Sequence, residues 1–435
     1  MPDSPDRKRR RQHPRHRYRD QAHASAHANH GDPPAAIPDH PLIPRGQAAL
    51  ITRQAELDEL IDHARAAGSF AYDSEFIGEL SYLPRLCLVQ VCTAQRIALV
   101  DPLEQIDLRP FWELVADPAV EKIVHAGEQD LEPVVRALDR PAANIFDTQI
   151  AAGFAAMAYP VALSKLVRKL VGAHLGKGFT FTHWDQRPLT AVQMRYAADD
   201  VRYLPALRAE LGRRLDAMGH ARWASAECDL RCNPELFGFD PDRGMLKVRG
   251  VGSLRPSQLG AFRELFIWRD QAARAHDLPP RTLIKDEVLV DLARTSIRSV
   301  GDLAKIRGLP RPVEQADGPA ILAAIQRGQA APIRGFDQHS SADDVASHRF
   351  RADALWATVQ ALCLGQGIDP ALVTSRQEMA LAYRQRVNGR LAPDCPLMQG
   401  WRREAVGDAL ERLLNGQGEV RLKWQEDALR AQVTS

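Results

Sequence analysis

The chain has 435 residues, 45% of them hydrophobic and 26% charged, with a formal net charge of +2. At about 150 residues per domain this length accommodates roughly two to four domains with real cores, and no apolar run approaches the ~20 residues of a membrane helix. No apolar stretch follows the basic residues at the start, so a secretion signal is not expected. Six scattered cysteines suit a reducing cytoplasm better than a disulfide framework.

Charge is unevenly spread. Residues 1–20 hold eight Lys/Arg against Asp3, Asp6 and Asp20, a local +5 that leaves about −3 on the rest. Attraction to a polyanion must therefore come from local patches and from this tail. Residues 1–45 are rich in Arg, His, Pro and Ala and lack hydrophobic periodicity, which predicts a disordered basic tail. A phosphate-touching arm and a solvating tail fit it equally.

Residues 46–230 then read as one mixed α/β domain. A helix over 55–67 precedes a strand over 69–76, and RLCLVQVCT and RIALVDP follow as two more strands in hairpin-like succession. Next come a helix over 111–116, a short strand over 122–125, a helix over 128–138, the segment IFDT, a helical region over 149–170 and a long helix over 191–218. Cys228 and Cys232 share a helix face and are read as packing, not as a zinc site. Residues 231–253 are loop-rich, with Pro234, Pro241 and several glycines, and read as a linker. An all-helical block over 254–330, a second linker over 331–344 and another helical block over 345–425 complete the chain.

Three short stretches concentrate the chemistry. In AYDSEF, side chains alternate across a strand, so Asp73 and Glu75 share one face while Tyr72 and Ser74 take the other. Acidic residues are depleted in strand interiors, and two on one face repel unless a cation lies between them. An exposed edge would also accommodate both. In VHAGEQDLEPVV, Ala126-Gly127 makes a tight entry and Asp130 falls in the first helical turn, where compensation of the helix dipole alone would explain it. In RPLTAVQMRYAADDV, Thr190 and Gln193 have capping-box spacing, so a helix starts at Ala191. Residues four apart share a helix face, which sets Tyr196 over Asp200 on the side of Leu204 and leaves Asp199 turned about 100° toward solvent.

Four carboxylates on three elements, with a tyrosine four residues before the last, form a stronger signal than any part. The order Asp-x-Glu, Asp, Tyr-x-x-x-Asp resembles the DEDD superfamily of 3′-to-5′ exonucleases, in the subgroup with tyrosine in the last motif. DSEFIGELSYLPRLCLVQV, ALVDPL, KIVHAGEQDLEPV, IFDTQIAAGF and RPLTAVQMRYAADDVRYL are similar to the ribonuclease D family. LRPSQLGAFRELFIWRDQAARAHDLPPRTLIKDEVLVDLA is similar to its HRDC (helicase and RNase D C-terminal) domain. The resemblance runs over about residues 47–420.

It implies an α/β ribonuclease H-like exonuclease domain, a mixed sheet flanked by helices, followed by two all-α HRDC-type domains. Asp73, Glu75, Asp130 and Asp200 would hold two divalent ions, Mg²⁺ or Mn²⁺. Tyr196, a poor base at its ordinary pKa near 10, would orient the attacking water or share its proton. Gln90, His125 and His183 would line the substrate pocket, with a satisfied core role fitting Gln90 and His125 equally, and Asp147 would hold local structure. The family pattern before the last motif is Ser-Asp-Trp-like, whereas this chain reads Thr182-His183-Trp184, which bears on product release or substrate choice. The implied partner is RNA with a single-stranded 3′ end, tRNA precursors above all, met by a monomer in a bacterial cytoplasm. The alternatives are a DNA-directed 3′-to-5′ exonuclease and a non-catalytic RNA-binding protein with a nuclease fold.

Overall fold

The computed structural model describes residues 37–78, 81–176, 183–333, 342–387, 395–425 and 428–434. Most of the expected basic tail lies outside them.

The first part of the chain builds a six-stranded sheet: β1 (Ala49–Ile51), β2 (Ser69–Ile77), β3 (Arg85–Cys92), β4 (Ile97–Val100), β5 (Glu121–Val124) and β6 (Ile145–Asp147), in the order β1-β4-β3-β2-β5-β6. The three central strands pair antiparallel, and the outer strands add in parallel. The helices of this part are α1 (Gln54–Ala67), α2 (Arg109–Val115), α3 (Glu128–Leu138), α4 (Thr148–Gly153), α5 (Leu163–Leu166), α6 (Ala191–Arg202), α7 (Leu204–Met218) and α8 (Ala221–Arg231).

Period-two patterning decides which helix covers which face of the sheet. Phe70, Tyr72, Val89 and Val91 point to the side of α1, α2 and α3, where Leu57, Leu60, Phe111, Trp112, Leu131 and Val134 bury them. Ala71 and Cys92 point to the opposite side, into a cluster with Val201, Leu204, Leu207 and Leu211.

Two details of this sheet make room for a site. The parallel strand β5 pairs only with Ser69–Ala71 of β2, so the second half of β2 runs past its end. The register of β2 on β3 also shifts between Glu75 and Phe76, a bulge that opposes one extra residue, Cys87, to the strand. Bulges of this kind bend a strand and re-aim its side chains.

Downstream, α9 (Pro241–Met245), α10 (Pro256–Ala275), α11 (Pro280–Leu283), α12 (Asp286–Arg294) and α13 (Arg311–Ala330) pack around Phe262, Leu265, Leu289, Leu292, Ile321 and Ile325. The last region holds α14 (Ala342–Gly365), α15 (Pro370–Val373), α16 (Arg376–Val387), α17 (Gly400–Arg402), α18 (Asp408–Leu414) and the antiparallel strands β7 (Glu419–Gln425) and β8 (Ala428–Thr434).

Several expectations need correction. The long helix over 191–218 is two helices joined at Tyr203, because Pro205 has no N–H to give and its ring clashes with the carbonyl four residues back. The helical region over 149–170 is interrupted after Gly153, and Ala156 takes a left-handed φ of 57°. Strand β1 was not expected; three residues give too short a pattern to read. Residues 37–45, expected in the tail, are held against the body. Ile43 is buried, and the Arg202 guanidinium donates to the Pro44 carbonyl.

The expected linker over 231–253 is also built into the fold. Asp240 caps α9, accepting from the Asp242 and Arg243 amides, and Met245, Val248 and Val251 are buried with Phe262. Their three-residue spacing is helical, but the surrounding Pro and Gly conceal it. Finally, the second helical block ends in a hairpin. Val420, Leu422 and Trp424 alternate with Arg421 and Lys423, which is strand periodicity at the foot of a helical run.

Candidate active site

Asp73 and Glu75 project from the part of β2 that outruns β5, on the face covered by α6. Their neighbour Tyr72 is fully buried on the other face and donates to the backbone carbonyl of Asp130. That bond ties α3 to the carboxylate strand.

The start of α3 is fixed by Asp147, whose carboxylate accepts from the amides of Ala126 at 3.1 Å, Gly127 at 3.2 Å and Gln149 at 2.8 Å. One side chain therefore caps α4 and steadies the entry to α3. Only glycine fits at position 127, where a Cβ would stand 2.7 Å from the side chain of Val124. The result is that Asp130, 6% exposed, is pressed in beside β2.

The third element is α6. Its capping box is formed, with the Gln193 amide donating to the Thr190 hydroxyl and the Thr190 amide donating to the Gln193 side chain. One turn later the Tyr196 hydroxyl hydrogen-bonds Asp200. Asp199 does not simply face solvent as expected. It accepts from the Nε of Arg202 at 2.9 Å, and that guanidinium is buried. Asp199 thereby compensates the cation that anchors residues 44–46.

The electrostatics show that the four carboxylates sense one another. Burial pushes Asp73 up to about 6. Burial and then the charge of Asp73 push Glu75 up to about 8. Asp200 rises to about 9 through burial, Asp73 and Glu75, and Asp130 rises well above its ordinary range for the same reasons. Like charges crowded into a low-dielectric site disfavour ionisation, and a bound cation reverses that preference. All four donors are hard oxygens, which fits Mg²⁺ or Mn²⁺ and not a soft metal. Among the described residues no three His, Cys, Asp or Glu side chains stand in a closed metal-binding cluster. The donor set thus matches a divalent ion in chemistry, with its carboxylates facing one site but not drawn around a centre.

Comparison with known proteins gives this geometry its place. Residues 48–216 match the 3′-5′ exonuclease family model, and residues 258–325 match the HRDC domain. A ribonuclease D of Gluconacetobacter diazotrophicus is 34% identical over 370 residues, covering 84% of this chain and 93% of its own length. One from Granulibacter bethesdensis is 33% identical over 380 residues, covering 85% and 93%. The chain belongs to the ribonuclease D family. The crystal structure of Escherichia coli RNase D, described as an exoribonuclease involved in structured RNA processing, aligns with a TM-score of 0.73 at 29% identity, over 85% of this chain and 99% of that one. The protein is thus a 3′-to-5′ exoribonuclease of the ribonuclease D type, in an exonuclease family that depends on divalent metal ions.

The remaining expected residues fall differently. His125 is turned to Thr148, with Nδ1 2.9 Å from its hydroxyl, and burial lowers its pKa, so it braces β5 against α4. Gln90 is fully buried on β3, opposite Asp73 of β2. His183 is exposed, while Thr182 lies outside the described residues. A cavity of about 90 Å³ between Gly127, Asp147, Tyr159 and Arg231 sits at the foot of α3, and Asp73, Glu75 and Asp200 do not line it.

Sequence reasoning missed a clamp beside the tyrosine. Arg187 pairs with the buried Asp101 and donates to the carbonyls of Cys87 at 2.8 Å and Trp184 at 2.7 Å. It seats Trp184 with its ring centroid 6.3 Å from that of Tyr196. The available signal was the Arg-Pro-Leu that immediately precedes the capping Thr190.

Proposed function

We propose that Asp73, Glu75, Asp130 and Asp200 together hold two divalent ions, Mg²⁺ or Mn²⁺, and that the enzyme trims the 3′ ends of RNA, tRNA precursors among them, releasing 5′-mononucleotides. The observation that carries this reading is the set of four carboxylates, from three elements, whose pKa values are raised by burial and by one another. Bound ions there would supply positive charge to both the attacking and the leaving oxygen of the phosphodiester.

The side chains of this chain do the rest. Burial and the neighbouring Asp200 push the Tyr196 hydroxyl further above the ordinary phenol range, so it keeps its proton at neutral pH. It acts as a hydrogen-bond donor that orients the attacking water and steadies Asp200, not as a base. Trp184 and the Arg187 clamp hold that tyrosine in place. All five side chains come from one chain, so a monomer contains the whole site, and the bacterial relatives support a bacterial cytoplasm as its location.

The test is digestion of 3′-labelled and 5′-labelled RNA, and of the DNA strand of the same sequence, with and without Mn²⁺. Immediate release of the 3′ label as mononucleotide, from RNA and only with the ion, is expected; equal rates on DNA would overturn the substrate class. Asp200→Asn is expected to abolish hydrolysis, while Asp199→Asn costs less than tenfold in kcat, about 1.4 kcal/mol in the barrier. Equal losses from the two would break the assignment of Asp200.

A further inference from the structure

Gln90 is anomalous. Its side chain is fully buried, and neither its amide nitrogen nor its amide oxygen has a hydrogen-bond partner in the protein. Buried polar groups are almost always paired, and an orphan carries a desolvation penalty that a methionine or leucine of similar size would not. Its place in the sheet suggests what the amide is kept for. In the β2–β3 register Gln90 stands directly opposite Asp73, and in the β3–β4 register opposite Leu99. Cross-strand partners project from the same face. That face is covered by α6, which carries Asp200, and the side chains around it are otherwise apolar: Leu88, Leu99 and Ala197.

We propose that Gln90 is a positioning residue: its side-chain amide donates to the carboxylates of Asp73 and Asp200 when they close on a divalent ion, and so fixes the orientation in which they grip it. The inference rests on the ion-binding reading above. A carboxylate that ligates a cation keeps lone pairs free on the side away from it, and an N–H fixed behind it restricts its rotation. In this structure the amide engages neither carboxylate, so its hydrogen bonds are made on closure. The orphan is thereby explained as a group tuned to the loaded site at the expense of the resting fold.

This predicts that ion binding and stability separate, measured on the full chain. Gln90→Met is expected to weaken Mn²⁺ binding tenfold or more, followed by titration calorimetry or by the EPR signal of free Mn²⁺. In EDTA the same variant is expected to melt at the wild-type temperature or above it. Leu99→Met, a volume-conserving change opposite Gln90 on the same face, controls for repacking and is expected to leave Mn²⁺ affinity within twofold. Unchanged Mn²⁺ affinity in Gln90→Met overturns the proposal, as does a fall in its melting temperature in EDTA, which would make the amide a support of the fold. Wild-type protein that binds no Mn²⁺ at millimolar concentration overturns the ion-binding reading itself, and this inference with it.

Discussion

The two helical regions read alike in sequence and are attached in opposite ways. The first, residues 256–333, keeps its own core, closed by α10 and α13. These helices approach so closely that a Cβ on Gly260 would stand 2.2 Å from the Gly328 carbonyl oxygen. Among the described residues, and besides the chain leading into it, this region meets the exonuclease domain at a small clasp on Tyr82, in the loop between β2 and β3, whose ring also rests against the region's core. The Tyr82 hydroxyl donates to Asp270, its amide donates to Asp277 at 3.0 Å, and Arg274 lies 4.6 Å over its ring.

The second region has no such independence. Val359, Cys363, Leu372, Leu397, Trp401 and Val406 are buried in the same cluster as Phe154, Leu207, Leu211 and Leu215 of the exonuclease domain. At that junction Glu227 is almost fully buried. It accepts from the Trp401 indole at 2.9 Å and from Arg402 at 3.0 Å, and it pairs with Arg231. A polar clasp is compatible with movement; a shared apolar core is not. The first region is a module and the second a foundation.

The largest effect expected is from removing residues 342–435, which strips one side of the catalytic domain's core. Loss of its cooperative unfolding transition is expected in urea, and an unchanged transition would make the second region a module too. Glu227→Ala leaves Arg402 and Arg231 without their buried partner and is expected to cost about 3–5 kcal/mol in the same experiment.

A pH ramp separates the regions further. The site carboxyls have folded-state pKa values raised to about 6, 8 and 9, so the folded protein binds protons that the unfolded chain has already released. Their contribution is fully present below the ordinary carboxylate range near 4 and is lost as pH rises through about 6 to 9. In EDTA, the exonuclease transition is therefore expected to fall in temperature from pH 5 to pH 9, and added Mn²⁺ to oppose the fall. A rise with pH would contradict the shared site. The smallest effect is at the clasp, where Tyr82→Phe removes one hydrogen bond worth roughly 1 kcal/mol. It is expected to leave kcat on a short oligonucleotide unchanged and to raise KM for structured RNA; a fall in kcat would mean that the first region steadies the carboxylate strand directly.

Much of the candidate site is legible locally because its spacing is local. Asp73 and Glu75 fall two apart on a strand, and Tyr196 and Asp200 four apart behind a capping box, so backbone geometry alone puts each pair on one face. Asp147 and Gly127 are less legible: each looks like an ordinary loop residue until the start of α3 is seen to hang on both. The clamp from Asp101 through Arg187 to Trp184 spans 86 positions between its ion-paired members, and no periodicity records such a contact.

The sequence by itself determined the family, the mixed sheet, the four carboxylates with their tyrosine, and the helical character of most of the chain beyond the exonuclease domain. These depend on composition, short spacings and period. Only the tertiary structure decided that β5 stops short of Asp73, that Asp199 holds a buried arginine, that Gln90 is an orphan beneath the site, and that one helical region is clasped while the other is fused. Each of these depends on which surfaces far apart in the chain exclude water together. Burial and its electrostatic consequences are properties of the packed whole, and no single stretch encodes them.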